Sequence, residues 1–271
     1  MSPPAPAASS IASRARIASI TGVALAGSFA LACTGKAPAG TTAIRVAAAA
    51  DLARAFEDVG KAFEARSGKK VTLTFGSTGL LAKQIAEGAP FDLFAAANVS
   101  FVDEAVKTGR CHADTKSLYA RGRIVVWTRA GTSKVASLAD LSDPRFVKIA
   151  IANPEHAPYG KAAREALQKA GLWDALKPRL VFGENVQQAL QFAQSGNADA
   201  AIVALSLATV ADGAFSVVPE AEHAPLDQAL VVCGTGPRAA VAKDFAAFVG
   251  SPDGRAIMNR YGFVLPGEPV R

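Results

Sequence analysis

Val46-Ala47-Ala48-Ala49-Ala50-Asp51-Leu52 is the stretch whose reading decides the fold, and Phe75-Gly76-Ser77-Thr78-Gly79 echoes it. In each, a short apolar run ends in small or hydroxyl residues, and the positions that follow begin a helical pattern. Two junctions of this kind turn two helix N-termini, with their unpaired N–H groups, toward one spot. Such an arrangement is suited to holding an anion.

Outward from the first junction, residues 44–49 read as a buried strand, and Leu52, Phe56, Val59 and Phe63 fall on one face of a helix ending at Ser67-Gly68. The next strand is expected over 71–75, followed by a helix that buries Leu81 and Ile85 and stops before Gly88. A third strand over 91–96 leads into a helix over 101–107, stopped by Gly109. After a break the pattern restarts, with strands at 124–128, 148–152, 180–182 and 200–205 and helices at 161–170 and 186–194. A strand at 228–233 and helices beginning near Pro237 and Pro252 follow. Strand and helix alternating at these lengths imply an α/β fold, its sheets mostly parallel and covered by helices on both faces. The expected division is lobe I from 43–121 with 229–271 and lobe II from 122–228, with a ligand cleft between them.

The chain has 271 residues, 50% of them hydrophobic, enough to bury a full core. Lys and Arg number 29 against 23 Asp and Glu, and without residues 1–32 the count is 27 against 23. A surplus this mild, with no basic run and few aromatics, argues against a nucleic-acid partner. Arg14 and Arg16 precede the apolar run 17–31, and Ala30-Leu31-Ala32 fits the small-x-small cleavage rule, so 1–32 reads as an export signal peptide and 33–42 as a linker. Cys33 would then be the first mature residue and a lipid acceptor, although Ala30 stands where such acceptors usually have an aliphatic residue. Plain secretion is the other reading. Export permits disulfides, and Cys111 and Cys233 are left as an even pair. They form a bridge, or Cys233 is simply a core residue on its strand.

Four strand-to-helix junctions carry polar or conformationally special residues: Ala50-Asp51, Ser77-Thr78-Gly79, Pro158-Tyr159-Gly160 and Glu184-Asn185-Val186. Ligands of open α/β sheets bind outside the carboxyl ends of strands, and two junctions from each lobe bracket the cleft. Each of Asp51, Ser77 or Thr78, and Asn185 also reads as an ordinary helix N-cap. The stretch Gly76-Ser77-Thr78-Gly79 lacks the Lys and the spacing of a phosphate loop, and no G-x-G-x-x-G fingerprint occurs. His112, His156 and His223 are too scattered to ligate a metal, and no G-x-S-x-G elbow supports a hydrolase. Trp127 and Trp173 lie in apolar patterns and read as core.

Taken together, Ala47-Ala48-Ala49-Ala50-Asp51-Leu52, Phe75-Gly76-Ser77-Thr78-Gly79, Gly88-Ala89-Pro90-Phe91-Asp92-Leu93-Phe94, residues 151–160 (Ile-Ala-Asn-Pro-Glu-His-Ala-Pro-Tyr-Gly) and Glu184-Asn185-Val186 resemble the periplasmic molybdate-binding proteins of ABC uptake systems. The resemblance runs from about Ile44 to Pro266. It implies a periplasmic-binding-protein fold of type II: two α/β lobes joined by two crossover strands, closing on a tetrahedral oxyanion without metal or cofactor. By position, the oxyanion would be held by Ala50, Asp51, Ser77, Thr78, Tyr159 and the Val186 amide. The Tyr that some members carry late in lobe II is replaced here by Ala204. The implied role is a monomeric, non-enzymatic receptor that delivers molybdate, with tungstate as a second ligand, to an ABC permease in the inner membrane. Another tetrahedral oxyanion such as sulfate or phosphate is the alternative ligand, and a secreted hydrolase the alternative class. Asp51 departs from the family, which commonly has Ser or Asn there. Either its carboxylate caps its own helix, the preferred reading, or it accepts a proton carried by the ligand, which phosphate can supply at neutral pH and molybdate cannot.

Overall fold

The computed structural model describes residues 43–132 and 134–269; the leader, Cys33 and the linker up to residue 42 lie outside the described residues. The chain runs β1 (Ile44–Ala49), α1 (Ala53–Ser67), β2 (Val71–Gly76), α2 (Thr78–Ala86), β3 (Leu93–Ala96), α3 (Val99–Lys107), β4 (Ser117–Gly122) and β5 (Ile124–Arg129). It continues through β6 (Ile149–Ala152), α4 (Pro158–Lys169), α5 (Trp173–Leu176), β7 (Leu180–Gly183), α6 (Val186–Gln194), β8 (Ala200–Ala204), α7 (Leu205–Ala208) and β9 (Gly213–Val217). The described chain ends with β10 (Leu226–Val232), α8 (Gly236–Val249) and α9 (Pro252–Arg260).

These strands make two sheets of the same plan, ordered β2-β1-β3-β10-β4 and β7-β6-β8-β5-β9. In each, three neighbouring strands are parallel, and one reversed strand, β10 or β5, pairs antiparallel on both sides. Four of five strands therefore point one way. The chain passes from the first sheet to the second between β4 and β5 and returns between β9 and β10, so the two crossings lie at residues 122–124 and 217–226.

Helix α1 shows how the pattern becomes packing. Phe56, Val59 and Phe63 recur at helical spacing, and all three are buried. The rings of Phe56 and Phe63 meet Phe245 of α8 edge-on, with centroids 5.9 and 5.2 Å apart. The helix ends as expected, with Gly68 in the left-handed conformation at φ 69°. Trp127 is fully buried on β5, whereas Trp173 is only partly buried at the start of α5.

The disulfide alternative resolves in favour of the bridge: Cys111, after α3, is bonded to Cys233, just beyond β10. Two hydrogen bonds hold the same neighbourhood, His112 N–H donating to Val232 O at 2.8 Å and Val232 N–H donating to Thr115 Oγ1 at 3.0 Å.

Candidate functional site

The carboxyl ends of β1, β2, β6 and β7 release the chain into the four junctions, and these converge on one small cavity of about 10 Å³. Ala50, Asp51, Ser77, Thr78, Tyr159 and Val186 all line it. No Lys, Arg or His side chain is in the lining. The donors it presents are neutral. At α6 the Asn185 side chain caps the helix by accepting from Gln187 and Gln188 N–H at 3.1 and 3.0 Å, which leaves Val186 N–H among the first-turn donors without an intrahelical acceptor. At α2, Thr78 Oγ1 accepts from Ala97 N–H at 3.2 Å, so its own proton is available to an acceptor in the cavity.

Three contacts close the two halves over this cavity. The carbonyl of His156, in the loop after β6, accepts from Gly79 N–H at 2.9 Å and from Ser77 Oγ–H at 2.7 Å. Ser206 of α7 donates to the Asp51 carbonyl at 2.7 Å. Tyr159 donates its hydroxyl proton to Asp51 Oδ2 at 3.0 Å. The fit at Gly79 is close enough to exclude any side chain, because a Cβ there would stand 2.7 Å from the His156 carbonyl oxygen.

Asp51 corrects the expectation from the sequence. Residues Ala50–Leu52 form a 3-10 turn, so α1 begins only at Ala53 with Leu52 at its N-cap, and the Asp51 side chain caps nothing. Its Oδ2 instead accepts from Tyr159 and, at 2.7 Å, from Gln228 Nε2 on β10. Gln228 in turn accepts from the Tyr119 hydroxyl on β4 at 2.7 Å, and its Nε2 also reaches the Tyr159 oxygen at 3.2 Å. Asp51 is 1% exposed, and its Oδ1 has no hydrogen-bond partner among the described residues. Burial pushes its carboxyl up from 3.8 to about 6, against the opposing pull of the Gln228 and Tyr159 hydrogen bonds. Burial, and then the nearby Asp51 charge, push the hydroxyls of Tyr119 and Tyr159 well above 10.0, so both remain protonated donors.

Tyr159 precedes the helix expected over 161–170, but α4 starts at Pro158, so Tyr159 sits in the first helical turn. Since its one proton goes to Asp51, the hydroxyl orients the carboxylate across the closed cleft. Tyr159→Phe should therefore weaken anion binding by about tenfold, the loss of one hydrogen bond worth about 1.4 kcal/mol, measured by titration calorimetry. Affinity equal to wild type would make that hydroxyl dispensable. Gln228, Tyr119 and Ser206 were not anticipated. A Gln opening the apolar run Ala229 to Val232 of β10 was the available signal, since a buried polar side chain needs a partner.

An α/β body of two like sheets whose four strand ends converge on one small cavity has the architecture of a receptor that encloses a small solute. The chain belongs to the bacterial extracellular solute-binding proteins, whose family model matches residues 44–264. It is 35% identical over 228 residues to the molybdate-binding protein ModA of Rhodobacter capsulatus, covering 84% of this chain and 90% of that protein. To the molybdate-binding protein ModA of Escherichia coli K12 it is 35% identical over 245 residues, covering 88% and 94%. The structure of the periplasmic molybdate-binding protein of Azotobacter vinelandii superposes with a TM-score of 0.77 at 29% identity, over 82% of this chain and 99% of that one.

Proposed function

We propose that this protein is exported, captures molybdate, and tungstate as its near twin in shape and charge, and delivers the oxyanion to an ABC permease. The observation that carries this reading is the cavity itself: N–H and O–H donors from both halves, and no fixed cation, at the meeting of three helix N-termini. A fully ionised dianion has only acceptor oxygens, so backbone amides and hydroxyls satisfy it, and helix dipoles supply positive potential. Without a permanent ion pair the capture is readily reversed at a transporter. Ala50, Asp51, Ser77, Thr78 and Val186 contact the oxyanion, with Tyr159 acting through Asp51. Lobe I comprises 43–122 with 226–269 and lobe II 124–217, hinged at the two crossings, since the whole of β10 pairs within the first sheet. The mature protein acts as a monomer without cofactor or catalysis, and a lipid on Cys33 would tether it to the membrane.

Hydrolase chemistry is the second reading with an observation behind it, since Ser77 Oγ lies 2.8 Å from His156 Nδ1. The Ser77 proton, however, goes to the His156 carbonyl, and no carboxylate holds the outer ring nitrogen among the described residues. A nucleophile needs its base oriented by a third group, so the pair serves closure.

Titrating the mature protein with molybdate, tungstate, sulfate and phosphate tests the reading. Molybdate should bind, raise the melting temperature by mass action and shrink the solution radius as the lobes close. No response to molybdate or tungstate would refute it. Gly79→Ala puts a methyl group against the His156 carbonyl only when the lobes are shut, at a cost of about 1 to 3 kcal/mol. It should therefore weaken molybdate by about 10- to 100-fold.

A further inference from the structure

Asp51 is a poor neighbour for a dianion in its ionised form, and yet it lines the cavity. Its two oxygens are not equivalent. Oδ2 is saturated by Tyr159 and Gln228, both of which only donate to it, so that oxygen is held in its acceptor role. Oδ1 is buried and has no partner among the described residues. The groups packed around the carboxyl from other elements are Tyr159 on α4, Tyr119 on β4, Gln228 on β10 and Ser206 on α7, and none of them carries a cation. The nearest histidine of the closing loop, His156, is engaged with Ser77. Among the described residues no cation pairs with the Asp51 carboxyl, so a proton is what neutralises it, and Oδ1 is the oxygen open to receive it.

We propose that oxyanion capture at this cavity takes up one proton from solvent, held between Asp51 Oδ1 and an oxygen of the anion. The inference rests on the oxyanion reading above and adds to it a specificity device. Free carboxylate, free dianion and one proton combine into a complex of net charge minus two, in which Oδ1–H donates to the ligand while Oδ2 keeps its two donors. No covalent bond forms or breaks apart from the transfer of that proton. Burial already raises the Asp51 carboxyl to about 6 with no anion beside it, and a dianion in the same cavity raises it further. The chemical class this site prefers is a tetrahedral oxyanion basic enough to share a proton, and the affinity of the receptor falls as its surroundings become alkaline.

Titration calorimetry of the wild type with molybdate at about pH 7.5, in two buffers of different ionisation enthalpy, counts the protons taken up and needs no variant. About one proton per anion is expected, with Kd rising about tenfold per pH unit across the alkaline range. Asp51→Asn supplies a permanently neutral donor in place of Oδ1–H; its uptake should fall to zero, and its Kd should become independent of pH and tighter than wild type at about pH 8. Wild type that binds molybdate with no proton uptake and a flat pH profile overturns the proposal and leaves the oxyanion reading intact. Folded wild type and variant that both ignore molybdate, tungstate, sulfate and phosphate at every pH overturn the oxyanion reading itself.

Discussion

Replacing both Cys111 and Cys233 with Ala should lower the unfolding free energy of the protein by about 2 to 5 kcal/mol, near the upper end of what one disulfide contributes. The bonded residues are 122 positions apart, so the bridge closes a loop that contains all of β4 through β10 and hence the entire second sheet. Crosslinking a loop of this size removes much of the conformational freedom of the unfolded chain, and the loss grows with the logarithm of loop length. The native state needs little extra ordering to accept the bond, because His112 and Thr115 already hydrogen-bond to Val232 beside it. Neither cysteine lines the cavity. Urea unfolding of wild type with and without reductant, and of the double variant, checks this. Reductant should move the wild-type midpoint to that of the variant and leave the variant where it is. Coincident midpoints in all of these conditions would mean that the bridge does not form in solution.

The order of strands and helices was legible in the sequence because each junction announces itself locally. A run as short as Ile44–Ala49, bounded by a polar junction, reads as a buried strand, and Gly68, Gly171 and Gly196 mark helix ends by their positive φ. The four junctions that build the cavity were legible for the same reason. What could not be read was how Asp51 is used. Asp before an apolar-periodic run is the ordinary sign of a cap, and that local preference lost to a tertiary network assembled from Tyr119, Tyr159 and Gln228, residues 68, 108 and 177 positions away. Pairing partners also stayed hidden. β9 is a half-exposed edge strand with little apolar periodicity, and only its register against β5 makes it a strand. Lobe closure through His156 belongs to the same class, since a carbonyl oxygen contacting Gly79 has no side-chain signature.

Asp51→Asn should stabilise the ligand-free protein at neutral pH by about 3 kcal/mol, and the gain should vanish in acid. An ordinary aspartate releases its proton near 3.8, as it would in the unfolded chain, whereas in the closed fold Asp51 holds its proton up to about 6. Between those values the folded state binds a proton that the unfolded state has lost, so stability falls as pH rises through this window and stays lower above it. A window of about two pH units corresponds to about 3 kcal/mol at 1.36 kcal/mol per unit. Asparagine avoids the loss, since its carbonyl oxygen can accept the same bonds from Tyr159 and Gln228, and its amide is neutral at any pH. Ligand-free urea unfolding of both proteins at about pH 4 and about pH 7.5 measures the difference, and an equal gap at the two pH values would show that the Asp51 carboxyl is not displaced by burial. A chain that retains the costlier residue at the centre of its binding cavity has given up stability where flexibility of charge is useful, the usual compromise at functional sites. In the ligand-free state closure strips water from the ionised carboxylate, which costs the closed form free energy. Capture takes up from solvent the proton that removes this penalty, so closure and capture are driven by the same event.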